Sequence, residues 1–293
     1  MDSNTFVIAD HHIKVVFADS SVNSMALLPS FGPFRVQGND EPLLFTLTVD
    51  DSLRPAKDKQ LIRNFDTGNG DTLVHQLANG GYQFIIRDIH GRDCCLLITN
   101  SDFSDCHCAL NGDWVMRSFG LNDALMLVFA FAGSKKQTLL IHASCVEHGG
   151  YGYPFIAMSG TGKSTHTSLW IKHIDHTQLM NDDNPAIRIA DDGVPYIYGT
   201  PWSGKTPCYR NIMAPLGAVT RIERAPQNSI ERLQPVMSFA SLLPACSSMK
   251  WDGVLYNQLC DTVTAIIEKV PIFTLYCLPD KEAALLCHKT IAH

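Results

Sequence analysis

The residues with the most specific chemistry in this sequence form one run, Ile156-Ala157-Met158-Ser159-Gly160-Thr161-Gly162-Lys163-Ser164-Thr165. The apolar stretch 154–157 leads into it like a buried strand, and the stretch 165–171 leaves it like a helix. Between them two glycines let the backbone curl so that successive N–H groups turn inward, which makes a nest for phosphate oxygens. In such a loop Lys163 reaches the β- and γ-phosphates and the Ser164 hydroxyl ligates Mg²⁺. The spacing G-x-x-x-x-G-K-[ST] is met with one departure, Ala157 at the first glycine position. An ordinary glycine turn is the plain alternative, but the S-G-T-G-K-S-T core lies in the strand–loop–helix context that nucleotide binding requires. The pattern therefore predicts ATP and Mg²⁺ as cofactors, held by Ser159, Gly160, Thr161, Gly162, Lys163, Ser164 and Thr165.

Phosphoryl transfer needs more than a phosphate cradle: a metal anchor and a group that positions the acceptor. Asn181-Asp182-Asp183 closes a strand downstream of the loop. Neighbouring strand residues face opposite ways, so one acid can meet the metal and the other the acceptor, with the assignment between them open. The competing reading is a solvated acidic turn before Pro185. His142, at the end of a neighbouring apolar strand, is either a core histidine or a site residue. Farther on, Gly199-Thr200-Pro201-Trp202-Ser203-Gly204-Lys205 is followed by Arg210. Lys205 and Arg210 are the candidate cations for substrate or γ-phosphate, and Trp202 is a candidate to stack on adenine or substrate. Surface cations and a packed ring are the alternatives.

The elements that must position these residues are legible from periodicity. The first ~130 residues read as strands, among them 12–17, 43–49, 82–87 and 94–99, punctuated by glycine-rich turns in the manner of an antiparallel meander. Asp105-Cys106-His107-Cys108 resembles half of a zinc site, yet zinc wants four ligands, usually as two separated pairs, so inert thiols are expected. A helix is predicted over 122–132, capped by Asn122 and stopped by Gly133. Thereafter 138–146 reads as one buried strand, 186–189 and 195–198 as a hairpin, and 213–222 as a strand or strand pair. Helices follow around 239–243 and 253–269, then a strand over 272–276 and a helix over 281–291. The expectation is an α/β chain (α+β overall): a β-rich domain over 1–130 and a nucleotide-binding core over 131–293.

Composition narrows the classes. A chain of 293 residues with 45% hydrophobic and 18% charged residues is globular, and a net charge of −6 disfavours a nucleic-acid partner. No membrane span and no signal peptide are expected from the hydropathy pattern. Ten irregularly spaced cysteines with no C-x-x-C pair point to reduced thiols in the cytoplasm.

The block Ile141-His142-Ala143-Ser144, Ser159 to Ser164 and Asn181-Asp182-Asp183 resembles the catalytic domain of HPr kinase/phosphorylase and, more distantly, the P-loop region of ATP-dependent phosphoenolpyruvate carboxykinase. Closer still are HPr-kinase-like proteins with S-G-T-G-K-S-T-H-T-x-L-W, then N-D-D, then G-x-P-W-S-G-K. The resemblance covers about residues 138–222. It implies that Lys163 and Ser164 are the phosphate lysine and metal hydroxyl, and that Asp182 and Asp183 divide the roles of metal ligand and catalytic acid/base. It also implies that His142 sits near the transferred phosphoryl. Thr165 stands where HPr kinase has a metal-site Glu, and 199–205 replaces its downstream signature. The function expected is an ATP- and Mg²⁺-dependent kinase that phosphorylates a hydroxyl of a protein, peptide or small molecule, with self-association left open. The rivals are a catalytically silent nucleotide-binding regulator and a carboxykinase-type lyase.

Overall fold

Period-two burial builds the first of the two units into which the chain divides, Met1–Ala132 and Gly133–His293. The computed structural model describes residues 1–38, 41–66, 70–204 and 206–292. In the first unit β1 (Asp2–Ile8), β2 (His11–Phe17), β3 (Arg35–Val36), β4 (Leu43–Val49), β5 (Lys59–Asp66), β6 (Asp71–Leu77), β7 (Tyr82–Arg87), β8 (Asp93–Thr99) and β9 (Asp105–Leu110) form one sheet. Their order is β3-β1-β2-β4-β9-β8-β7-β6-β5. Strands β5 to β9 make an antiparallel meander, but β2–β4 and β4–β9 pair in parallel. On β2, Ile13, Val15 and Phe17 point into the core while the residues between them are half-buried. The same alternation on β9 buries Cys106 and Cys108 and turns Asp105 and His107 outward. The four potential ligands thus sit on opposite faces.

Helix α1 (Trp114–Ser134) starts about two turns before the predicted Asn122. Its cap is Asp113, whose carboxylate accepts the Met116 N–H at 3.0 Å. Gly120 does not break it, because a Cβ there would lie 2.8 Å from Cys95 Cβ and 2.9 Å from the Cys94 carbonyl carbon. The glycine lets the helix approach β8. The helix is long and apolar enough to cross a membrane, contrary to the expectation from hydropathy; 56% of its most apolar window is buried within the fold.

The second unit contains β10 (Thr138–Leu140), β11 (Ala143–His148), β12 (Tyr151–Ile156), α2 (Lys163–His173), β13 (Gln178–Asp183), β14 (Ala186–Ile189), β15 (Pro195–Tyr198) and β16 (Met213–Pro215). It continues with β17 (Val219–Arg224), β18 (Ser229–Arg232), α3 (Pro235–Leu242), α4 (Gly253–Ile267), β19 (Ile272–Cys277) and α5 (Lys281–Ile291). Two sheets result, β13-β11-β12-β17-β19-β18 and β10-β14-β15-β16. The chain is therefore a mixed α/β protein with large sheets. The stretch that reads as one continuous strand, 138–146, is divided between the sheets, and 213–222, expected as a strand or strand pair, is a pair whose members also lie in different sheets. The first breaks where Ile141 N–H bonds the Pro185 carbonyl and His142 N–H bonds the Ala245 carbonyl (3.0 and 2.7 Å).

Trp170 of α2, Tyr153 and Phe155 of β12, and Ala284 and Cys287 of α5 form one core beside the six-stranded sheet. Met180, Ile187, Ile197, Val219 and Val263 belong to the other, between the two sheets and α4. Gly152 permits the closest approach there, since a Cβ would fall 2.1 Å from Ile197 Cγ2.

Gly120→Ala tests whether packing or propensity governs α1. Propensity alone favours Ala by about 1 kcal/mol, whereas overpacking against strand backbone costs about 1–3 kcal/mol. We expect a net loss of stability in urea denaturation; a raised midpoint would show that the helix and β8 part freely.

Candidate active site

The site follows from the place of β11. That strand is antiparallel to both neighbours, and its first residue, Ala143, faces Ile156 at the end of β12 and Asp183 at the end of β13. The carboxyl ends of β12 and β13 therefore flank the start of β11, with His142 immediately before it. Strand β17 runs parallel to β12 and ends at Arg224 on the same side. A crevice outside the carboxyl ends of strands is where open α/β sheets bind ligands.

The loop between β12 and α2 owes its path to glycine: Gly160 and Gly162 have φ of +76° and +128°, and a Cβ at either would meet nothing within 4 Å. The requirement is conformational, not steric. Thr161 N–H closes a turn on the Met158 carbonyl at 3.1 Å, so this amide is not part of the inward-facing nest that the sequence suggested. The unspent donors lie at the start of α2, which has Gly162 at its cap, no side-chain cap bond and no acid in its first turn. Such an end attracts anions.

Ser164, on the first turn, donates from Oγ to Asp182 Oδ1 at 2.9 Å. Asp182 is 4% exposed and also takes the Thr206 N–H on Oδ2 at 3.3 Å. Its carbonyl accepts from Ser203 Oγ and Gly204 N–H. The pairing of one hydroxyl with one carboxylate suits Mg²⁺, which takes one or two protein oxygens and completes its shell with phosphate and water. Among the described residues no three His, Cys, Asp or Glu side chains converge as a richer metal site would need.

Asp183 faces the other way. Its φ of +133° is a rare conformation for a residue with a Cβ; strain of this kind costs about 1–3 kcal/mol and needs surrounding support. That support comes from a bridge to Ser203 and from Asn184 Nδ2, which donates to Asp183 Oδ2 at 2.9 Å. Asp183 Oδ1 lies 3.2 Å from His142 Nδ1, and Lys163 Nζ lies 2.7 Å from His142 Nε2. An ammonium can only donate, so Nε2 accepts, and the imidazole is assigned as neutral with its proton on Nδ1 facing Asp183. Burial, then the Lys163 charge, hold the His142 pKa below its ordinary value, against the pull of Asp183 and Asp182. Burial likewise lowers the Lys163 ammonium, opposed by the same two acids.

Of the sequence-predicted residues, the fold gathers His142, Lys163, Ser164, Asp182 and Asp183 through these contacts. Ser159 and Thr165 are exposed beside them. Two expectations are corrected. Trp202 is 2% exposed and has no free face for a base or substrate; its carbonyl takes Asn181 Nδ2 of β13 at 3.0 Å. Arg210 is spent on the Leu179 carbonyl and Gln178 Oε1, at 2.6 and 2.9 Å, and fastens its loop to the start of β13. Lys205 lies outside the described residues.

Sequence reasoning passed over two residues. Asn181, fully buried, ties the 200–202 segment to the Asn184 amide through four hydrogen bonds; its place beside the acid pair was the available signal. Arg224 donates from Nε to the Thr161 carbonyl at 3.0 Å and from Nη2 to the Gly160 carbonyl at 2.5 Å. Nothing in its local sequence marks it, because its partners lie 63 and 64 residues away along the chain. No protein-family model matches the chain, and no curated protein is significantly similar to it.

Two measurements probe this architecture. Arg224→Ala removes both loop contacts, and we expect amide exchange over 158–162 to speed about three- to tenfold while β12 is unaffected; unchanged exchange would mean that the loop holds itself. His166, buried and accepting the Trp170 indole N–H at 3.0 Å, has its pKa pushed down by burial to about 4. The unfolded chain binds this proton near pH 6.5. Stability is therefore full above pH 6.5 and lost as pH falls toward 4, by on the order of 3 kcal/mol. His166→Gln should flatten this window in pH-dependent denaturation, and an unchanged acid limb would assign the loss elsewhere.

Proposed function

We propose that the chain is an ATP- and Mg²⁺-dependent phosphotransferase, with an HPr-kinase-like P-loop core, acting on a hydroxyl acceptor in the cytoplasm. The observation that carries the reading is the joining of Ser164 to Asp182 and of Lys163 through His142 to Asp183, at one end of β11, β12 and β13. Two acids that are neighbours in sequence thereby have different partners and different access, as division of labour in phosphoryl transfer needs.

In this reading Asp182 and Ser164 hold the metal, for Asp182 is enclosed and bonded to the hydroxyl of the first helical turn. Bound Mg²⁺ supplies charge neutralisation at the phosphate oxygens. Asp183, a third exposed, is the general base: an oxygen of its carboxylate takes the acceptor's proton as the acceptor oxygen bonds the γ-phosphorus. The bond to the β-phosphate oxygen breaks and its electron pair leaves with ADP. His142 Nδ1–H orients Asp183. Lys163 exchanges its histidine partner for phosphate oxygens, and the free N–H groups of the first turn of α2 receive the same charge.

Asp182→Asn and Asp183→Asn separate this reading from its rivals. We expect Asp182→Asn to lose Mg²⁺-dependent ATP affinity in calorimetry. Asp183→Asn should keep that affinity but slow transfer to an acceptor panel by about 10²–10⁴-fold. ATP binding without transfer in the parent assigns a silent regulator, and equal behaviour of both mutants and parent removes the acid pair from the mechanism.

A further inference from the structure

His148, the last residue of β11, and His288, on α5, approach each other by their Nε2 atoms, 3.0 Å apart. Their ring planes cross at 82° and their centres are 4.7 Å apart. A straight N–H···N bond of that length would hold the centres roughly 5.3 Å apart, because each nitrogen lies roughly 1.15 Å from its ring centre. At least one ring is therefore tilted off the line between the nitrogens. One arrangement reproduces both distances with the rings playing equal parts. If each Nε2 points at a common ion at roughly 2.05 Å, nitrogens 3.0 Å apart subtend roughly 94° and the ring centres fall roughly 4.7 Å apart.

The surroundings suit that arrangement. Thr177 Oγ1 lies 3.1 Å from His148 Nδ1, where as acceptor it supplies the outer contact of a ligating imidazole whose lone pair is on Nε2. Trp170, fully buried, stands edge-on to both rings, at 6.3 Å from His148 and 5.4 Å from His288. Both histidines are half-buried, so solvent reaches them. The neighbouring carboxylate of Glu147 is already engaged by Gly150 N–H and Gln178 Nε2.

We infer that His148 and His288 form a two-histidine site for a divalent transition-metal ion of the Ni²⁺ or Cu²⁺ class, whose near-right ligand angles the geometry matches, with water completing the shell. Imidazole donors select these ions over Mg²⁺. The site joins α5 to the end of β11 opposite Ala143, and it stands independently of the phosphotransfer reading.

Titration of tag-free protein with Ni²⁺ or Cu²⁺ tests this. We expect one equivalent to bind and the unfolding midpoint to rise by roughly 5 °C at a hundredfold excess over Kd. His148→Asn and His288→Asn should each weaken binding at least tenfold, and Asp182→Asn should leave it unchanged. Because either histidine variant could fail to fold, electron paramagnetic resonance of the parent with one equivalent of Cu²⁺ gives a second reading, with two imidazole nitrogens expected. Absence of binding, fewer than two nitrogens, unaltered affinity in a folded histidine variant, or loss in Asp182→Asn would each overturn the assignment.

Discussion

The geometry of the candidate site depends on one pairing constraint, the position of β11 between two strands that both run against it. Backbone hydrogen bonds set where Ala143 stands relative to Ile156 and Asp183, and with side chains alternating along a strand, slippage by one residue would invert every face. From that register the rest follows. The loop after Ile156, the acids at the end of β13 and the histidine before Ala143 open on one side of the sheet. No long-range electrostatic attraction need be invoked to assemble them, since the ladders place them before any charge is considered.

The nearby helix is then fixed by packing. Trp170 is enclosed by Tyr153, Phe155 and α5, and Thr167 donates to Ser144 Oγ on β11 at 2.8 Å. These contacts hold α2 while its first turn remains uncapped by any side chain. Stability is drawn from the far part of the helix and donor groups are left free at the near part. Arg224 clamps the loop through its carbonyls and leaves the amides of that turn alone.

Much of this was legible in the sequence, and for particular reasons. Gly160 and Gly162 announce positive φ because few other residues adopt it cheaply, and Asn181-Asp182-Asp183 announces a strand end by its polarity. The split of 138–146 was not legible, because Leu140, Ile141, Ala143 and Cys145 are apolar whichever sheet they join. The early start of α1 was not legible because Asn122 offers a cap farther on, and only the proximity of β8 shows the use of Gly120. Strand β5 falls within the region read as strands but could not be placed individually, because nearly all of it is exposed and burial leaves no alternating pattern. Trp202 and Arg210 misled for a related reason: residue type indicates what a side chain can do, while the fold had already employed both internally.

The break at Ile141–His142 has a further meaning. The backbone there is located by three separate stretches of chain at once: Pro185 and Ala245 through hydrogen bonds, and Ile156 and Asp183, the latter on the same stretch as Pro185, through the pairing of the next residue. A point held from three directions is over-determined, as a surveyor's mark sighted from three stations is. Small errors in any one sighting average out, but an inserted or deleted residue cannot be absorbed by sliding, since every sighting would disagree. This part of the chain can therefore vary in side chain far more readily than in length.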